Sequence, residues 1–230
     1  MVTWKNTLLA LVVSFTGSLA SVQAEASGVD LTVEVEFKGR ILNDLDRINQ
    51  IEIRREKNFR KYRSEQWRSR APKLARARYA EAEFAVERLV PKLEEYSFET
   101  LIRRTILRDV DVMGLDEKPA LIKVTLEQMR ISDFSIARYR STNSVMTGVV
   151  EAFNADGVRT GGVKLTWQML PTYTHNNKYA GKEYVFLRES AHVRVAPLTI
   201  GFLEKALEQI YPGKDAPGPV FIWPPKGNRP

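Results

Sequence analysis

Residues suited to bond-making chemistry are sparse in this chain. His175 and His192 are the only histidines among 230 residues, and cysteine is absent. That removes disulfides, thiol nucleophiles, a lipid-modified cysteine and thiolate zinc sites together. Carboxylates alone would have to complete a metal site around the two histidines, so no metal and no other cofactor is expected. Asp109 to Gly114 opens like a calcium loop, but Ala120 stands where the bidentate Glu belongs. The glycines of Gly157 to Lys164 lack the Gly-Lys-Ser/Thr ending of a phosphate loop and read as turn residues. The Gly-x-Ser-x-Gly and Ser-x-x-Lys signatures of serine hydrolases do not occur. Glu34 with Glu36, and Glu94 with Glu95, could share acid–base work only if the fold placed a pair in a cleft. No residue is assigned a catalytic role, and a non-enzyme is the favoured expectation.

The strongest signal is electrostatic. Between Arg54 and Ala80 lie Arg54, Arg55, Lys57, Arg60, Lys61, Arg63, Arg68, Arg70, Lys73, Arg76 and Arg78, opposed only by Glu56 and Glu65, a net of +9. The whole chain carries +7, so the basic character is local. Phe59, Tyr62, Trp67 and Tyr79 are interleaved with the charges. Cations set among aromatic rings suit an anionic surface, the cations meeting phosphate or carboxylate and the rings resting at the interface. The plain alternative is an exposed helix solvated by long Arg and Lys side chains.

The start of the chain decides which anions to consider. Lys5 precedes an apolar run from Leu8 to Phe15, and small residues stand at the third-last and last positions, Val22 and Ala24, the pattern of an exported precursor cleaved after Ala24. The apolar run is too short to span a bilayer, and no later stretch approaches that length. A periplasmic or secreted protein is therefore expected, with no transmembrane span in its mature chain. Export argues against nucleic acid. The candidate partners are an anionic envelope component (phospholipid, lipopolysaccharide or peptidoglycan) or an acidic protein.

The elements that must carry these residues follow from periodicity. Leu31 to Phe37 alternates as a strand with one buried face, and Ile41 to Ile48 changes to helical spacing after Gly39. Ala75, Tyr79, Ala82, Val86, Leu89, Leu93 and Tyr96 form one helical stripe that Pro91 should interrupt. Phe98, Leu101, Ile102 and Ile106 continue a helical face. Strands are expected within Ala120 to Ile131, within Ser144 to Phe153 with Val145, Val149 and Phe153 on one side, and around Val163, Leu165, Trp167 and Met169. The last two are joined by the turn Asn154-Ala155-Asp156-Gly157. Pro171 to Gly181 reads as a loop, Tyr184 to Val195 as a further strand, and Pro197 to Ile210 as a helix stopped by Gly213.

Grouped strands flanked by helices predict an α+β fold: an antiparallel sheet of about four strands with helices on one face. Residues 25–213 would form one domain, including the basic helical segment 54–80. The tail from Lys214 holds five prolines and is expected to form no regular element. Within it, Phe221, Ile222 and Trp223 predict a strap that docks on its own domain or, alternatively, joins a partner.

The expected function is non-catalytic binding or assembly in the cell envelope. The basic segment, Trp67 included, would engage the anionic partner. An envelope hydrolase with a carboxylate site that has no linear signature is the alternative.

Overall fold

The computed structural model describes residues 30–69, 85–131, 143–169, 182–187 and 194–222. Strand β1 (Thr32–Phe37) leads through Gly39, at φ 58°, into the 31-residue helix α1 (Gly39–Ser69). A short helix α2 (Ala85–Leu89) stops just before Pro91, and a 3-10 turn (Leu93–Glu95) follows. Proline biases its predecessor away from helical backbone, so the expected interruption falls here. Helix α3 (Phe98–Met113) begins at Ser97, whose hydroxyl accepts from Thr100 N, and ends at Gly114 in the left-handed region. Strands β2 (Leu121–Arg130), β3 (Ser144–Phe153) and β4 (Arg159–Met169) come next. The chain closes with β5 (Tyr184–Leu187), helix α4 (Val195–Ile210) and β6 (Pro219–Ile222).

The molecule thus combines a four-stranded sheet, in the order β1-β2-β3-β4, with helices, and β5 and β6 form a separate parallel pair. The expectation of an antiparallel sheet is corrected at one edge. β2, β3 and β4 are antiparallel, but β1 runs parallel to β2, Val33 facing Ile122 and Phe37 facing Leu126. The helices between β1 and β2 supply the long crossover that a parallel pair requires.

One face of the sheet is apolar. Val33, Phe37, Ile122, Val124, Leu126, Met146, Val150 and Ala152 are buried in one cluster with Phe98, Leu101, Ile102, Leu198 and Phe202 of α3 and α4. Phe37 and Phe98 meet with ring centroids 5.3 Å apart. The inward side of β3 is Ser144, Met146, Gly148, Val150 and Ala152; Val145, Val149 and Phe153 do share one side, and it is the opposite, half-buried one. β3 is apolar on both sides, so period two alone left its sense open.

Gly148 lies tight against both the neighbouring strand and α4. A Cβ there would stand 2.6 Å from Thr125 O, 2.9 Å from Leu126 Cδ2 and 3.2 Å from Phe202 Cζ. Gly148→Ala is expected to destabilise the fold by about 1–3 kcal/mol through overpacking. The lowered midpoint of urea unfolding would register it, and an unchanged midpoint would refute the close fit.

Two further expectations are corrected. The strand beginning at Tyr184 does not reach Val195, which is the first residue of α4. Pro197 in that first turn lacks the N–H that a helix start leaves unused. The proline-rich tail does form a regular element, since β6 pairs with β5, Phe186 facing Phe221. Pro219 opens that strand at its end, where a missing N–H is tolerated. The expected export signal at residues 1–24, the expected loop 171–181 and both histidines lie outside the described residues.

Candidate functional site

Helix α1 carries the described part of the basic segment, and it has two polar stripes with opposite roles. The inner stripe consists of Asn49, Glu52, Glu56 and Arg60, at steps of three and four, so it lies along one helical face. Each of these side chains is spent on the body of the fold. Asn49 Oδ1 accepts from Phe98 N at 2.7 Å, at the start of α3. Glu52 Oε2 accepts from Val195 N at 3.2 Å, at the start of α4, while Glu52 Oε1 accepts from Tyr96 Oη at 3.2 Å and Arg194 Nε at 2.9 Å. Arg194 also pairs with Glu56. Glu56 Oε1 accepts from Arg60 Nε at 2.7 Å, and Arg60 donates onward to Val90 O at 2.7 Å and Pro91 O at 2.5 Å.

Glu52, Glu56 and Arg194 are all buried. Two carboxylates and two guanidiniums balance there. Burial opposes the charge on Arg194, but Glu52 and Glu56 outweigh it and hold its pKa above the ordinary arginine value. Burial, reinforced by the neighbouring Glu52 charge, pushes the Tyr96 phenol well up, so it stays a donor. The arrangement is a clasp: α1 satisfies free N–H groups at the starts of two helices and two carbonyls just past the end of a third.

The outer stripe contains the exposed Arg40, Arg47, Arg54, Lys57 and Lys61, with Asn43 and Gln50 between them. Arg40 pairs with Asp44 at 3.3 Å. Among the described residues no carboxylate pairs with Arg47, Arg54 or Lys57. The expected anionic-surface residues therefore divide. Arg54, Lys57 and Lys61 face outward, Arg55 is half-buried, and Arg60 turns inward into the clasp. Phe59, half-buried, sits with its ring centroid 5.9 Å from the Arg194 guanidinium carbon. Arg63, Trp67 and Arg68 lie on α1 with side chains beyond the description, and Arg70, Lys73, Arg76 and Arg78 lie outside the described residues.

The other candidates are placed as follows. Phe221 is 1% exposed and packs on Phe186, ring centroids 6.0 Å apart, so this part of the strap docks on its own domain. Ile222 is in β6 with its side chain beyond the description, and Trp223 lies outside the described residues. Glu36 accepts from Thr125 Oγ1 at 3.2 Å, and Glu34, Glu94 and Glu95 are exposed. Asp109 to Met113 is the end of α3.

Sequence reasoning missed a second buried cluster. Asp109 Oδ1 accepts from Tyr184 Oη at 2.6 Å, and both residues have no exposed surface. Arg108 stacks over the Tyr184 ring at 4.3 Å and donates to Lys182 O at 2.5 Å. Arg88 approaches the same ring at 5.7 Å and donates to Glu183 O at 3.1 Å. Burial pushes Asp109 up to about 8, against the pull of the Tyr184 hydrogen bond and the Arg108 charge. A neutral acid anchors the β5–β6 pair. Its only trace in the sequence is an Asp in line with the apolar face Leu101, Ile102, Ile106 and Val110.

No family model, curated protein or solved structure matches this chain.

Proposed function

We propose that the protein is a non-catalytic binding or assembly factor of the bacterial envelope, exported to the periplasm, that engages an anionic partner through the basic segment beginning in α1. The observation that carries this reading is the outer stripe. It is cationic and exposed, and Arg47, Arg54 and Lys57 face no carboxylate among the described residues. The inner stripe supports it from beneath, because a helix clasped at four points presents its charges in a fixed line and loses little entropy on binding.

Co-sedimentation with phosphatidylglycerol vesicles and with peptidoglycan, at low and high salt, tests the reading. Each cation near an anionic surface contributes about 1 kcal/mol. Replacing Arg47, Arg54, Lys57 and Lys61 by Gln is therefore expected to weaken low-salt binding by at least about a hundredfold, and salt should do the same. Arg60 is left intact because it belongs to the clasp. Binding to neither material nor to any other polyanion, or binding indifferent to those four substitutions, would end the proposal.

A further inference from the structure

We infer that the outer face of α1 docks an acidic helix of a partner protein, in heptad register; this rests on the reading above that the face is a binding surface. Arg40, Arg47, Arg54 and Lys61 recur at every seventh residue, and Asn43, Gln50 and Lys57 stand three residues after the first three of them. All seven are exposed. This is the three-four spacing by which one helix meets another along a seam. The 21 steps from Arg40 to Lys61 span roughly 32 Å at the helical rise, about three heptads.

Several observations favour a helix over a lipid surface. A membrane-surface helix places an apolar face among the acyl chains. In α1 the apolar side is already used: Ile41 is buried, and Leu45, Ile48 and Ile53 pack against the core. Phe59 is turned toward Arg194, so it is not available at an interface. Leu42, 56% exposed, is the one large apolar side chain left open among the described residues of α1, too little to anchor a helix.

Two of the three residues between the heptad cations, Asn43 and Gln50, are amides. Asn43 and Gln50 can both donate and accept, which suits discrete, spaced carboxylates. Arginine meets a carboxylate through two parallel hydrogen bonds, a geometry that fixes register. Among the described residues of α1, the acidic side chains beside the stripe, Asp44 and Asp46, are near its start, and Asp44 is occupied by Arg40. The segment Arg47 to Lys61 is therefore the strongest part of the seam. A second copy of α1 is excluded as the occupant by like charge.

The test uses the full chain and fluorescence anisotropy with labelled probes. The first probe is an alanine-based three-heptad helical peptide with Glu at every first and fourth heptad position. The second has the same composition with its Glu residues spread around the helix, and phosphatidylglycerol vesicles and peptidoglycan complete the panel. The expected result is that the in-register peptide binds at least tenfold tighter than the spread peptide, and that Arg54→Gln with Lys57→Gln removes that preference while the thermal midpoint is unchanged.

Equal binding of the two peptides overturns the inference. If vesicles or peptidoglycan bind through the four outward cations while neither peptide does, the inference falls and the broader proposal stands. If nothing in the panel and no other polyanion binds, both fall.

Discussion

Replacing Arg194 by Ala is expected to lower stability by about 3–5 kcal/mol, because it strands Glu52 and Glu56 as buried acids without their shared partner. In a domain of this size that is a fall in thermal midpoint of very roughly 6–20 °C. Glu52 would keep only the Tyr96 hydroxyl and the Val195 amide, and Glu56 only Arg60. Arg194→Lys should recover little, since an ammonium cannot present the planar fork that reaches both carboxylates.

The informative control replaces the whole cluster. Arg194→Met with Glu52→Leu, Glu56→Leu and Tyr96→Phe should regain much of the loss, because apolar side chains of similar volume avoid the desolvation cost of charges. Calorimetric or denaturant midpoints of the three variants decide. Were Arg194→Ala to unfold at the wild-type midpoint, the clasp would not be what fixes α1 to the starts of α3 and α4.

The second large effect is a pH dependence centred on Asp109. Unfolded, its carboxyl releases its proton near the ordinary value of 3.8, and folded it holds the proton to about 8. Between those limits the native state binds one more proton than the unfolded chain. Stability therefore falls as pH rises through that window, by about 1.4 kcal/mol per unit for one proton, and levels off above it. The total is on the order of several kcal/mol.

The groups facing Asp109 are Tyr184 from β5, Arg108 on its own helix and Glu204 from α4, whose charge raises the Asp109 pKa further. Asp109→Asn keeps an acceptor for Tyr184 and an N–H where the acid carries its proton. Its contribution is expected to be flat, making the variant more stable than wild type above about pH 8. Urea midpoints at pH 5, 7 and 9 measure this, and parallel profiles for the two proteins would reject it.

The legibility of the sequence varied with how far apart the interacting residues are. Helix α3 was readable because Phe98, Leu101, Ile102 and Ile106 repeat at helical spacing and Ser97 and Gly114 mark its ends. The β3–β4 hairpin was readable because Asn154 to Gly157 makes a local turn, Gly157 at φ 74°. The parallel setting of β1 was not, since its partner lies across some eighty residues of chain. Periodicity reports which face of a strand is apolar, but not which neighbour it pairs with or in which sense.

The basic segment shows the same division. Its +9 charge is a property of composition, visible at once. That Arg60 belongs to the clasp while Arg54, Lys57 and Lys61 belong to the surface is not, because all four are long cations a few residues apart. Helical phase separates them only once Arg194, 138 residues beyond Glu56, is known to stand on one side.

By itself, then, the sequence determined the local elements, the concentration of positive charge and the absence of thiol chemistry, all of which depend on residue type and short spacing. The tertiary structure alone decided the sense of β1, the inward side of β3, the neutral acid at Asp109 and the two-sided character of α1. Burial, charge pairing and desolvation act between groups that the chain brings together only by folding, and no local pattern encodes them.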